Sequence, residues 1–105
     1  MKSAIPFLTA VAVSLSGTAA LAATGPQLLK DKGCLACHTL DKKVVGPAYK
    51  DVAAKYKARK DAEAYLSTKI RQGSTGVWGA VPMPPNGTVN DAEAKTLAKY
   101  ILTVK

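Results

Sequence analysis

The apolar residues of the chain are spaced as in helices, and no stretch alternates convincingly between apolar and polar residues as a strand would. Two segments carry a clear apolar stripe at intervals of three and four residues. They consist of Tyr49, Val52, Ala53 and Tyr56, and of Ala94, Leu97, Ala98, Ile101 and Leu102. The pattern therefore predicts an all-α fold.

Residues typical of helix ends frame four short helices. Two capping boxes, in which Thr or Asn is followed three residues later by Gln or Glu, mark the starts of the first and last helix. An aspartate suited to an N-cap and glycines suited to C-terminal ends mark three further boundaries. In chain order these residues are Thr24 and Gln27, Gly33, Asp61, Gly73, and Asn90 and Glu93. The second helix is expected to follow Ala48.

One long segment, residues 73–89, has no helical pattern. Its four glycines and three prolines exclude regular structure of any length. A loop of this length in a small domain is usually functional or disordered. This loop contains Trp78, the only tryptophan, and Met83, the only methionine besides Met1. We therefore expect an ordered loop with a functional role.

The first 22 residues have the features of a secretory signal peptide. Lys2 precedes a long apolar run that closes on Ala20-Leu21-Ala22. Length alone also allows an uncleaved anchor, since a spanning helix needs about 20 apolar residues. One proline, two serines and one glycine within the run weaken such a helix. We predict cleavage after Ala22 or Ala23, export to the periplasm without membrane insertion, and a mature domain over residues 23–105.

The charge of the chain bears on its partners. Fifteen Lys and Arg residues stand against seven Asp and Glu, which gives a formal net charge of +8. A net charge this positive is also typical of proteins that bind nucleic acid. The predicted export and the scatter of the lysines argue against that partner. We expect instead attraction to an acidic patch on another protein, which raises the encounter rate more than the final affinity.

Both cysteines and the only histidine lie together in Cys34-Leu35-Ala36-Cys37-His38. Zinc needs four ligands, and no further Cys or His remains to complete the set. A thioredoxin-like dithiol follows a strand of a βαβ unit, which the pattern lacks. A disulfide between Cys34 and Cys37 would close a tiny loop and leave His38 unexplained.

Covalent haem attachment explains all three residues, because Cys-x-x-Cys-His is its sequence signature. Two thiols at this spacing can reach two vinyl groups on one porphyrin edge, and His38 is then carried to the iron. Haem also supplies an apolar body that a domain of roughly 80 residues lacks. We therefore predict one haem c, bound through Cys34 and Cys37 and ligated axially by His38.

The second axial ligand is predicted to be Met83. A lone methionine can also fill a gap in a core or lie exposed in a loop. Here Pro82, Pro84 and Pro85 stiffen the chain on both sides, so that a thioether is presented at a fixed position. Ligation by His and Met is the arrangement of electron-transfer cytochromes, and the thioether raises the reduction potential. An open position would instead allow gas binding or peroxidase-like chemistry.

The chain resembles the short bacterial monohaem class I cytochromes c, of the c-551 and c-552 type. The resemblance covers residues 23–105 and rests on several blocks in order. They are C-L-A-C-H, V-V-G-P-A-Y-K-D-V-A-A-K-Y, G-V-W-G, V-P-M-P-P-N and D-A-E-A-K-T-L-A. The resemblance implies a small all-α fold with about four helices around one haem. It also implies that Leu28 and Leu29 pack against the last helix.

The resemblance implies roles for residues around the haem. The carbonyl of Pro47 would accept a hydrogen bond from Nδ1 of His38, although a simple turn also explains Gly-Pro. Trp78 would direct its indole N–H at a propionate, with core packing as the alternative. Asn86 would donate a hydrogen bond near the methionine sulfur, or else be an ordinary loop residue. Lys69 or Arg71 would balance a propionate charge, unless either is simply solvated.

The expected function is one-electron transport between respiratory complexes, without enzymatic activity. The resemblance implies a quinol-oxidising complex as donor and a terminal oxidase or nitrite reductase as acceptor. Contact is expected at an exposed haem edge ringed by lysines such as Lys30, Lys32 and Lys42. A carrier that must dissociate quickly is expected to be a monomer. The alternative is a peroxidase-like or gas-binding haem protein with a labile sixth ligand.

Overall fold

The computed structural model describes residues 22–105, together with residues 3, 4, 6 and 9. The predicted signal peptide therefore lies almost wholly outside the described residues and stays a prediction. Within this part of the chain there are four α-helices and one short 3-10 turn. They are α1 (Gly25–Asp31), the turn Cys34–Ala36, α2 (Tyr49–Tyr56), α3 (Ala62–Gln72) and α4 (Asp91–Ile101). The described residues form no strand beyond two isolated bridges, so the all-α prediction is confirmed.

The helix ends follow the capping residues in the sequence, with one difference. Both capping boxes form, at Thr24 with Gln27 and at Asn90 with Glu93. Asp61 occupies the N-cap position of α3 but makes no side-chain cap. Its backbone is not in the extended conformation of a typical N-cap, and its carboxylate pairs with Arg59 instead.

The core forms where α4 packs against α3 and α1. Leu28 and Leu29 of α1 and Leu97 of α4 are buried in one apolar cluster, as are residues of α2 and α3. The predicted apolar stripe of α4 is therefore its core face, except that Leu102 lies just past the helix end and is only partly buried. Residues 73–90, which connect α3 to α4, contain no helix.

None of the helices within the described residues has the length and hydropathy that a bilayer crossing requires.

Candidate functional site

A cavity of about 410 Å³ lies between the Cys-x-x-Cys-His segment, the helices α2 to α4 and the long loop. Its size is within the roughly 300–1,000 Å³ range of ligand sites in proteins. All seven residues that the sequence singles out line this one cavity. They are Cys34, Cys37, His38, Pro47, Trp78, Met83 and Asn86. Residues as far apart in the chain as Cys34 and Asn86 thus line the same cavity.

The backbone of the Cys-x-x-Cys-His segment turns tightly at its start. Gly33 precedes the turn with a left-handed φ of 74°, which favours glycine. The carbonyl of Cys34 then accepts hydrogen bonds from the N–H groups of Cys37 and His38, at 3.2 and 3.0 Å. This turn directs both thiols and the imidazole into the cavity. No disulfide joins Cys34 and Cys37.

The environment of Cys34 does not suit thiol redox chemistry. Burial raises the pKa of its thiol above the ordinary value, and this effect outweighs a hydrogen bond with Tyr49. Burial also raises the pKa of Tyr49, and its proximity to Cys34 adds to that shift. Redox-active dithiols have the opposite feature, a lowered pKa that favours the thiolate. In the described residues, moreover, no group of three or more metal-binding side chains suggests a zinc site.

The imidazole of His38 is buried and fixed from two directions. Its Nδ1 lies 2.8 Å from the carbonyl oxygen of Pro47. Because a carbonyl can only accept, Nδ1 carries the proton and Nε2 keeps the lone pair that a metal needs. The ring also stacks on Tyr49, with 4.8 Å between centroids and 21° between planes. Tyr49 is a site residue that sequence reasoning assigned only to the helical core face.

Gly46 allows the backbone to pass directly against this imidazole. A Cβ built at Gly46 would overlap the ring of His38, with 2.8 Å to Nδ1. Since the ring is held by Pro47 and Tyr49, it has little room to move away. Sequence reasoning noted Gly46 only as part of a turn, because nothing in the pattern shows which ring lies against it.

We expect Gly46→Ala to destabilise the holoprotein by about 1–3 kcal/mol, the range typical of overpacking. Denaturant unfolding followed by circular dichroism measures the change. Gly87→Ala is the matched control, because a Cβ there meets no atom within 4 Å. Equal midpoints for the two variants would contradict the close packing of Gly46 against His38.

Met83 is partly buried and is paired with the start of its own loop. Its N–H donates to the carbonyl of Ser74 at 2.9 Å, and its carbonyl accepts from the N–H of Ser74 at 3.0 Å. These two bonds form an isolated antiparallel bridge. The loop is therefore closed at its base, and the methionine follows directly on Pro82.

The other predicted residues occupy different parts of the cavity wall. Trp78 is 38% exposed, and its ring meets Tyr56 edge-on with 6.2 Å between centroids. Nζ of Lys55 lies 4.5 Å from the centroid of Trp78. Lys69 lines the cavity, whereas Arg71 pairs with a carboxylate of α4. Of the two cations suggested for a propionate, Lys69 is therefore the one at the cavity.

Asn86 lines the cavity and also ties the loop to α1. Its Nδ2 donates to the carbonyl of Lys32 at 3.1 Å, and its Oδ1 accepts from the hydroxyl of Thr88 at 2.8 Å. The amide carries a second hydrogen, so a bond toward Met83 stays open as a prediction. Lys32 itself contacts Thr88 and Glu93 and is not a free member of a lysine ring.

The cavity residues fit a covalently bound haem. The lining of the cavity is predominantly apolar, with Tyr56, Leu66, Ile70 and Leu97 among the contributing side chains. One wall offers two thiols and an imidazole with a free Nε2, and the loop offers a thioether. This donor set combines nitrogen and sulfur ligands with two points of covalent attachment, which is what a c-type haem requires.

Comparisons with known proteins agree with this fit. The family model described as Cytochrome c matches residues 22–105. Cytochrome c-552 of Hydrogenobacter thermophilus is 57% identical over 93 residues, covering 89% of this chain and 94% of that protein. Cytochrome c-552 of Nitrosomonas europaea is 51% identical over the full length of both chains.

A solved structure extends the likeness to the fold. The crystal structure of wild-type Nitrosomonas europaea cytochrome c552 matches with a TM-score of 0.75 at 57% identity. The match covers 76% of this chain and 99% of that one. The chain therefore belongs to the cytochrome c family, as a small all-α class I monohaem member that transports electrons.

Proposed function

We propose that the protein is a periplasmic one-electron carrier with His38 and Met83 as axial ligands of its haem iron. The observation that carries the proposal is the convergence of Cys34, Cys37, His38 and Met83 on one apolar cavity. The haem supplies reversible one-electron exchange between Fe(II) and Fe(III). The residues around it determine how the cofactor is held and how readily it is reduced.

Each ligand has a physical role that follows from its surroundings. The thiols of Cys34 and Cys37 tether the cofactor covalently, so that it is retained without strong noncovalent affinity. Pro47 and Tyr49 fix the imidazole of His38, and the hydrogen bond to Pro47 leaves Nε2 as the atom that would bind the iron. Met83 contributes a soft thioether that favours Fe(II) and raises the reduction potential.

We propose that the protein is a carrier and not an enzyme, because two axial side chains leave no iron position for a substrate. Its donor is then a quinol-oxidising complex, and its acceptor a terminal oxidase or nitrite reductase. Lysines at the cavity side of the chain support docking on acidic partners. Lys43 lines the cavity, and Lys30 and Lys42 are exposed. We expect the carrier to be a monomer.

Reconstituted electron transfer tests this proposal. The reduced holoprotein is mixed with a purified terminal oxidase or nitrite reductase, and its reoxidation is followed optically. We expect a second-order reaction that slows as ionic strength rises, since opposite charges steer the encounter. Rapid reaction of the unsubstituted ferric protein with peroxide, or rapid carbon monoxide binding by the unsubstituted ferrous protein, would instead indicate a labile sixth ligand.

A further inference from the structure

Two cationic side chains donate hydrogen bonds to the chain segment that follows Met83. Nζ of Lys32 donates to the carbonyl of Thr88 at 3.0 Å and lies 3.4 Å from a carboxylate oxygen of Glu93. Nε of Arg71 donates to the next carbonyl, that of Val89, at 3.4 Å. The guanidinium of Arg71 also pairs with Asp91.

The arrangement joins three helices to one short piece of backbone. Lys32 follows α1, Arg71 lies in the last turn of α3, and both carboxylates lie in the first turn of α4. We call the two cations with Glu93 and Asp91 the two-cation clamp. Consecutive carbonyls are thus held from two sides, and each cation has an acidic partner.

Asn86 connects the clamp to the loop. Its N–H donates to the carbonyl of Ile70 in α3 at 3.1 Å, and its side chain bonds both Lys32 and Thr88. Only Pro84 and Pro85 separate Asn86 from Met83. Proline fixes φ near −65°, so these two residues absorb little displacement. A backbone movement that carries Met83 away from the cavity therefore has to disturb either the Ser74 bridge or the anchored segment at Asn86.

We propose that Lys32 and Arg71 are positioning residues that keep Met83 on the iron. The proposal rests on the proposed ligation by Met83. The clamp acts on the rate at which the thioether leaves the iron, because it opposes the loop movement that departure requires. Neither cation lines the cavity, so neither touches the ligand or the haem attachment site.

The two arms differ in strength. The Lys32 arm is the more buried, with side chains of Lys32 and Glu93 exposed by 22% and 26%. In the Arg71 arm the corresponding values are 44% for Arg71 and 78% for Asp91. Exposed ion pairs contribute little, and the bond from Arg71 to Val89 is long. Removal of Lys32 should therefore loosen the loop more than removal of Arg71.

The rate of cyanide binding to the ferric holoprotein, at saturating cyanide, measures departure of the sixth ligand. We expect Lys32→Met to raise this rate about fivefold, as loss of one ordinary, partly exposed hydrogen bond suggests, and Arg71→Met about twofold. Exchange of the Met83 and Asn86 amide hydrogens, followed by NMR, should accelerate in the same order.

Two controls separate the clamp from general effects. Lys57→Met removes the same charge at an exposed position of the chain. Ala53→Gly weakens α2, and this helix does not include any residue of the loop. If Lys32→Met does not mature, Glu93→Gln serves instead, because Gln also completes the capping box while removing the negative charge. We expect about a twofold rise for that variant.

The outcomes distinguish the clamp from the function on which it rests. Clamp variants with the same cyanide rate and amide exchange as Lys57→Met and Ala53→Gly would overturn the clamp alone. A wild-type ferric protein without the weak red-edge absorption of methionine-to-iron charge transfer would overturn Met83 ligation, and the clamp with it. Faster cyanide binding in the clamp variants only, with that band present in the wild type, supports both.

Discussion

Met83→Ala should lower the reduction potential of the holoprotein by on the order of 0.1 V or more, within the ~0.8 V range that axial ligands span. The thioether favours Fe(II), and its loss removes that preference. The two prolines after position 83 and the bridge to Ser74 should keep the loop closed at its base in this variant. Cyanide and carbon monoxide should then bind without waiting for a ligand to leave.

A redox titration followed optically measures the potential of this variant. Val81→Ala is the matched control, because it shortens an exposed side chain of the same loop and leaves the ligand in place. We expect both variants to keep covalent haem and the helical circular dichroism of the wild type. An unchanged potential in Met83→Ala would show that the ligand assignment is wrong.

His38→Ala should abolish accumulation of stable holoprotein. The imidazole lies on the same wall of the cavity as both thiols. Contacts with Pro47 and Tyr49 hold its ring in position independently of Met83. Without it, haem attached at Cys34 and Cys37 lacks its proximal ligand, and the small core loses an ordered centre. The yield of haem that resists acid-acetone extraction, per unit of expressed protein, measures the effect.

Tyr49→Phe is a suitable control for the histidine variant. It keeps the aromatic ring on which His38 stacks and removes only the hydroxyl. We expect this control to mature normally. Normal haem yield in His38→Ala would contradict its role as the ligand beside the attachment site.

The fold was predictable from sequence wherever local chemistry determined it. The capping boxes at Thr24 and Asn90 each specify a helix start with two reciprocal hydrogen bonds, and both form. Asp61 shows the limit of this reasoning. Its residue type suits a cap, but a nearby arginine competes for the carboxylate, and that competition depends on conformation and not on pattern.

The residues expected to bind the haem could be predicted from the sequence, but the residues that hold them in position could not. A rare residue in an unusual segment is visible in sequence, as Met83 is among its prolines. Tyr49 was not recognised as a partner of His38, because an aromatic residue on a helical stripe is ordinarily core. The contacts of Lys32 were missed for a related reason. A lysine near a haem attachment motif is expected to belong to a docking surface. Only the structure shows that Lys32 instead donates a hydrogen bond to Thr88.

The optical spectrum of the ferric holoprotein at neutral pH tests the central claim most directly. His38 and Met83 together should give low-spin iron with a weak absorption band at the red end of the spectrum, from methionine-to-iron charge transfer. That band should disappear in Met83→Ala. High-spin ferric iron without the band in the wild-type protein would contradict a six-coordinate electron carrier ligated by these two residues.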